Sequence, residues 1–144
     1  MVRRQVLMIA MMAFALAPAA SGAEWKQLFN GKDLTGWKQV GPGRFVVEDG
    51  MLKPVGGMGL LYWTGGKIGN ATIRVVFKGT NDNDNAGIFI RIPVEPREEW
   101  MPVHYGYEVQ IYDAGDEHHS TGVLYSLTTL MARASKPVGE WNTF

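Results

Sequence analysis

The sequence predicts an all-β domain built as a β-sandwich or jelly roll. From Glu24 onward, short apolar runs are separated by turn segments rich in glycine, asparagine and aspartate, as is typical of many short strands. No apolar 3.6-residue period persists long enough for a substantial helix, and parallel folds would need helical crossovers. The length of the chain suits a single domain.

Nine segments have the composition expected of strands, and residues that form turns bound them. In chain order they are 27–29, 36–39, 44–48, 51–54, 59–63, 70–78, 87–92, 105–112 and 122–127. Turn-forming residues at 30–33, 49–50 and 81–85 separate some of these strands, because glycine and Asx residues tolerate left-handed backbone. Segment 93–102 holds three prolines and Trp100, which predicts a loop at the rim of a binding site.

The first 23 residues have the pattern of a cleaved secretory signal peptide. Two arginines precede an uncharged stretch, 5–23, whose apolar core is shorter than an uncleaved membrane anchor requires. Small residues at Ser21 and Ala23 predict cleavage after Ala23. We therefore expect a periplasmic or extracellular protein that starts at Glu24 and has no membrane attachment.

Composition argues against several classes of function. The chain has no cysteine, so disulfides and thiolate chemistry are excluded. Without its first 23 residues it holds 12 basic and 14 acidic residues, a formal charge of −2. Such a balance gives no electrostatic reason to bind nucleic acid or anionic lipid.

Two predicted strands indicate which side chains share a face. Strict alternation along 105–112 places Glu108, Gln110 and Tyr112 opposite an apolar face. Three isoleucines along 87–92 predict the core side of that strand, so Arg91 points away from the core. If the strands are neighbours, these polar residues line one surface, where rings and polar groups suit a sugar. The same pattern also fits a solvated sheet face with an Arg–Glu cross-strand pair.

Six blocks along the chain carry a resemblance. They are LFNGKDLTGW at 28–37, FVVEDGML at 45–52, AGIFIR at 86–91, GYEVQI at 106–111 followed by Asp113, TGVLY at 121–125 and KPVGEWNT at 136–143. Together and in this order they resemble the 3-keto-disaccharide hydrolase domain family. The resemblance covers 25–144 and implies a concanavalin A-like jelly roll in an exported bacterial protein. Because family members continue into further strands, we expect a domain that is incomplete at its C-terminus.

The name of the family implies cleavage of glycosides whose sugar carries a ketone at C3. The ketone acidifies the neighbouring C2–H, so a base can remove this proton and the C1 substituent can leave before water adds. Such a reaction needs a base, a group that stabilises the enolate and an acid for the leaving group. From this chemistry, Glu108 is the candidate base, Arg91 the candidate clamp and a histidine the candidate acid.

Asp113 is the third candidate catalytic residue. With Glu108 and Gln110 it resembles the carboxylate cluster of jelly-roll β-glucanases, in which two acids on one strand face act as nucleophile and acid/base. Here Gln110 replaces the central acid, and Asp113 falls on the opposite face unless a β-bulge shifts the register. The candidate sugar-binding residues are Gln110, Tyr112, Trp100, His119 and Tyr125.

The sequence predicts no metal site or other cofactor, and the metal requirement stays open. His118 and His119 lie in a polar loop, but their spacing matches no known zinc or calcium pattern.

Three functions remain open: an enzyme that hydrolyses 3-keto-glycosides or related sugars, or cleaves them by elimination and hydration; a non-catalytic carbohydrate-binding module; and a structural or adhesion domain. The fold does not separate them, since jelly rolls host both lectins and enzymes.

Overall fold

The structure, a computed structural model, describes residues 24–144. The predicted signal peptide, 1–23, lies outside the described residues. In chain order the strands are β1 (Trp37–Val40), β2 (Arg44–Glu48), β3 (Met51–Val55), β4 (Leu60–Trp63), β5 (Val76–Phe77), β6 (Ala86–Ile90), β7 (Tyr107–Ile111) and β8 (Asn142–Thr143). A short helix, α1 (Met101–Tyr105), lies between β6 and β7. The predicted all-β class is confirmed.

Within 24–144 the strands pair as antiparallel ladders: β1 with β4, β2 with β3, β5 with β8, and β6 with β7. The turn between β2 and β3 is Asp49-Gly50, with φ angles of 51° and 74°. Both angles lie in the left-handed region that a type I′ hairpin requires, which explains the Asp-Gly sequence.

A side-chain amide connects the first two ladders. Gln39 in β1 donates from Nε2 to the carbonyl oxygen of Phe45 in β2 at 3.2 Å, and its Oε1 accepts the Phe45 N–H. The amide thereby takes the place of a backbone ladder partner. In the β1–β4 ladder, the rings of Trp37 and Trp63 meet edge to face, with centroids 5.4 Å apart.

The last residues of the chain pack against β5. Val75 and Phe144 exchange backbone hydrogen bonds of 3.1 and 2.9 Å, which extends the β5–β8 ladder. The rings of Phe77 and Phe144 also pack together, with centroids 4.7 Å apart. The C-terminal block of the chain is therefore part of the sheet structure.

Three predicted strands differ in the structure. Segment 27–29 is irregular, the strand within 70–78 is confined to β5, and 122–127 forms an isolated bridge between Leu124 and Val109. The last segment is interrupted because left-handed backbone at Gly122 and Ser126, with φ of 95° and 57°, bounds it on both sides.

The helix α1 is a further difference, since the sequence predicted a loop over 93–102 and a strand from Tyr105. Pro102 lies in the first turn of the helix, where its missing N–H leaves no hydrogen bond unmade. The exposed Trp100 caps this turn by accepting the Val103 N–H at its carbonyl oxygen. Apolar alternation alone did not reveal so short a helix, because five residues contain little more than one helical period.

Few large apolar side chains are fully buried among residues 24–144. Leu60 and Val123 are 9% and 4% exposed, whereas many other large apolar side chains contact solvent. These include Trp25, Ile68, Ile73, Val76, Val94, Trp100, Leu127, Met131, Val138 and Trp141. Because hydrophobic stabilisation grows with buried apolar area, this small core limits the hydrophobic contribution to the stability of residues 24–144.

Gly43 and Gly59 bring two backbone segments into direct contact, so one of them provides a test of packing. A Cβ at Gly43 would collide with the Gly57 carbonyl oxygen and lie 2.7 Å from that of Met58. We expect Gly43→Ala to lower the free energy of unfolding by about 1–3 kcal/mol, because backbone atoms must shift. Gly69→Ala is the matched control, since a Cβ there meets nothing within 4 Å. Urea denaturation of the full chain measures both, and equal stability of the two variants would contradict this role.

Candidate functional site

The β6–β7 ladder places two of the predicted site residues on one face. Glu108 lies directly across from Phe89, and Gln110 lies directly across from Gly87. Cross-strand partners in an antiparallel ladder point to the same side of the sheet, so these four residues share a face. We call this surface the Glu108 face.

Residues 122–125 extend the same sheet along the other edge of β7. The Tyr125 N–H donates to the Glu108 carbonyl oxygen at 3.0 Å, and the Gln110 N–H donates to that of Val123 at 3.0 Å. Because Val109 and Leu124 pair on the opposite side, Tyr125 lies beside Glu108 on the Glu108 face.

The Glu108 carboxyl group leans across Gly87. A Cβ at position 87 would collide with Glu108 Oε1, so the absence of a side chain there makes room for the carboxyl group. Burial raises the pKa of Glu108 from 4.5 to about 7, and desolvation is the sole cause of the shift. A carboxyl group with such a pKa exchanges a proton near neutral pH, as a catalytic acid or base must.

His119 is held at the edge of the Glu108 face by contacts on both ring nitrogens. Its Nδ1 lies 2.6 Å from Asp116 Oδ1, and its Nε2 lies 3.0 Å from Ser126 Oγ. The ring also packs against Tyr125, with centroids 4.7 Å apart. Tyr125 therefore links His119 to Glu108.

Hydrogen bonds from Ser120 and Arg133 hold the loop that carries His119. Ser120 is 1% exposed, and its hydroxyl donates to the carbonyl oxygens of Gly115 and Asp116 at 2.8 and 2.6 Å. Arg133 donates to the carbonyl oxygens of Asp113 and Gly115 at 2.6 and 2.9 Å. These bonds fix the position of the loop relative to β7.

Arg91 does not extend the strand that the sequence predicted to place it beside Glu108. β6 ends at Ile90, and Arg91 adopts a left-handed φ of 60°. The alternation of side chains along β6 therefore stops one residue before Arg91. Its Nη2 instead donates to Asn70 Oδ1 at 2.9 Å.

Asp113 lies on the other side of the sheet from Glu108, as its position in the strand alternation predicted. It lines a small cavity of about 20 Å³ together with Ile111, which points away from the Glu108 face. Its Oδ1 is buried and has no hydrogen-bond partner among the described residues, and the cavity is large enough for one water molecule. Asp113 also borders an open groove of about 310 Å³ beside Arg133. The two carboxylates therefore do not form a glycosidase pair.

The remaining predicted residues have different surroundings. Gln110 is 1% exposed, so its side chain forms the floor of the Glu108 face rather than a free sugar contact. Tyr112 is half-buried just beyond β7, where its N–H donates to Thr121 Oγ1 at 2.9 Å. Trp100 is half-exposed at the start of α1.

Within residues 24–144 no cluster of three or more histidine, aspartate or glutamate side chains is arranged to hold a metal ion.

None of the helices in the described range has the length and apolar character that crossing a membrane requires.

The blocks that carry the resemblance also match a family by comparison. A sequence model of the 3-keto-alpha-glucoside-1,2-lyase-like domain matches residues 24–144. The chain belongs to this family. No curated protein matches the chain. The suspected family is thus confirmed, and with it a carbohydrate-related domain on a jelly-roll-like β fold.

Sequence patterns did not indicate two residues that lie at the site of this lyase-like domain. Asp116 and Ser126 meet at the His119 ring although they lie ten positions apart in a loop. No periodicity applies to an irregular segment, so no pattern placed them together. The left-handed φ of Ser126 is a structural signal that the sequence did not reveal.

Glu108 should make the stability of the lyase-like domain depend on pH. Its carboxyl group binds a proton more tightly in the folded state, with a pKa of about 7, than at its ordinary value of 4.5. The free energy of unfolding should therefore fall as pH rises through this window and level off above it. Urea denaturation at several pH values should show a smaller fall in Glu108→Gln.

Glu98→Gln is the matched control, because Glu98 is an exposed carboxylate outside the β6–β7 ladder. This control should keep the pH dependence of the unchanged chain. A Glu108→Gln variant with an equally steep dependence would show that the Glu108 carboxyl group is not desolvated.

Proposed function

We propose that this domain cleaves 3-keto-glycosides by elimination, with Glu108 as the base that removes the C2 proton. The observation that carries the proposal is the half-buried Glu108 carboxyl group, whose pKa of about 7 suits proton transfer near neutral pH. Membership of a family described as 3-keto-alpha-glucoside-1,2-lyase-like agrees with elimination across C1 and C2.

The proposed reaction proceeds by balanced proton transfers. Ionised Glu108 takes the proton from C2, the C2–H electron pair forms the C1–C2 double bond, and the C1–O bond breaks. The leaving oxygen takes a proton from an acid, for which His119 is the candidate because its ring packs against Tyr125 beside Glu108. Water then adds across the double bond and gives the 3-keto-sugar, so the overall outcome is hydrolysis.

The Glu108 face offers the kinds of contact that a pyranose needs. The Tyr125 side chain, which is 37% exposed, can cover apolar C–H groups, while the buried Gln110 amide forms the floor of the Glu108 face. Arg91 keeps guanidinium donors besides the one bound to Asn70, and a sugar that extends past β6 could use them.

The activity test uses the full chain and a 3-keto-glucoside in deuterated water. We expect release of the C1 substituent and incorporation of deuterium at C2, since water supplies the proton there. Glu108→Gln should lower kcat by about 10²–10⁴-fold while sugar binding is kept. On the acid side of the pH–rate profile the rate should rise with pH through about 7, because only the ionised Glu108 carboxylate is a base.

Each alternative outcome has a defined meaning. Release without deuterium at C2 would contradict elimination. Sugar binding without turnover in the unchanged protein would indicate a carbohydrate-binding module. Unchanged turnover in Glu108→Gln would remove Glu108 from the mechanism.

We propose as well that the protein is exported and acts outside the cytoplasm. The arginines, the short apolar core and the small residues before Glu24 support this. Mass spectrometry of the protein recovered from the periplasm or the medium should find Glu24 as the first residue. A protein that stays in the cytoplasm with its N-terminus intact would contradict export.

A further inference from the structure

A continuous hydrogen-bond network joins Asp116, His119 and Ser126, and its Ser126 end is exposed to solvent. The two links measure 2.6 Å from Asp116 Oδ1 to His119 Nδ1 and 3.0 Å from His119 Nε2 to Ser126 Oγ. Ser126 is exposed and follows Tyr125, the residue beside Glu108. The Ser126 end of this hydrogen-bond network is therefore adjacent in sequence to a residue of the Glu108 face.

The positions of the protons in this hydrogen-bond network follow from the groups that accept hydrogen bonds. Hydrogen bonds from the His118 backbone N–H and then from the His119 ring keep the pKa of Asp116 below its usual value. Asp116 is therefore an ionised carboxylate, which only accepts hydrogen bonds, so His119 Nδ1 must carry a proton. His119 Nε2 then faces the Ser126 hydroxyl, which can accept from Nε2–H or donate to bare Nε2.

We propose that Ser126 delivers the proton to the leaving oxygen at C1, and this proposal rests on the elimination proposed above. As the C1–O bond breaks, the leaving oxygen takes the Ser126 hydroxyl proton, and Ser126 Oγ takes the proton from Nε2 of protonated His119. His119 ends neutral, with its remaining proton on Nδ1 bound to Asp116. Ser126 is thus a catalytic residue, and Asp116 positions the His119 ring.

The backbone around Ser126 favours proton relay over nucleophilic attack. A nucleophilic serine needs free N–H groups beside it to stabilise the oxyanion. Here the Ser126 N–H donates to the His118 carbonyl oxygen at 3.1 Å, and the Leu127 N–H donates to that of Leu124 at 2.9 Å. Both donors are occupied, and the same bonds hold Ser126 at its left-handed φ of 57°.

The relay makes the role of Ser126 depend on the leaving group. A sugar alkoxide is a poor leaving group and needs a proton, whereas p-nitrophenolate leaves without one. We expect Ser126→Ala to lose about 10²-fold or more in kcat with a 3-keto-disaccharide, within the range of general acid catalysis. The same variant should keep near-normal kcat with p-nitrophenyl 3-keto-glucoside. Asp116→Asn should show the same selectivity to a smaller extent.

Ser135→Ala is the matched control, because Ser135 borders the groove beside Arg133 rather than the Glu108 face. It should leave turnover of both substrates unchanged. If Ser126→Ala lowers kcat equally for both substrates, or for neither, the proposed relay is overturned. If Glu108→Gln abolishes both activities while Ser126→Ala changes neither, the base stands and the relay fails. If Glu108→Gln changes neither, the elimination itself fails.

Nitrogen-15 NMR of the His119 ring gives a readout that does not need turnover. We expect the neutral ring to carry its proton on Nδ1, because Asp116 accepts there. Ser126→Ala should keep this tautomer and also show that the variant is folded. A neutral ring protonated on Nε2 in the unchanged protein would overturn the proposed direction of proton transfer.

Discussion

The hydrogen-bonded pairing of β7 with both of its neighbours is the constraint on which the site depends. β6 places Gly87 and Phe89 beside Gln110 and Glu108, and the bond from the Tyr125 N–H brings the following loop to the other edge. Because side chains alternate along each strand, this pairing decides which groups share the Glu108 face. A shift of one residue in either pairing would move Glu108 to the side where Asp113 lies.

The surroundings of two carboxyl groups drive their pKa values in opposite directions. Desolvation over Gly87 raises the pKa of Glu108 to about 7, while hydrogen bonds from the loop backbone lower the pKa of Asp116. Residues whose pKa values are separated in this way can serve different roles in proton transfer. Under the proposed function, Glu108 accepts a proton, whereas Asp116 stays ionised and fixes the orientation of an imidazole.

The same structure combines a small buried core with a well-anchored site. Leu60 and Val123 are almost fully buried, but several tryptophans are exposed and many hydrogen bonds run from side chain to backbone. Ser120 and Arg133 bond to carbonyl oxygens beneath the loop that carries His119. Local hydrogen bonds of this kind hold functional side chains in place where hydrophobic packing is limited.

Period-two alternation and turn chemistry alone determined the all-β class, the hairpin at Asp49-Gly50 and the placement of Glu108 and Gln110 on one face, opposite Asp113. The blocks of the sequence also identified the family. Tertiary structure alone decided that Glu108 is desolvated, that Arg91 turns to Asn70, and that Asp116 and Ser126 meet at His119. The physical reason is that alternation describes neighbours along one strand, whereas burial, strand ends and loop contacts depend on residues distant in sequence.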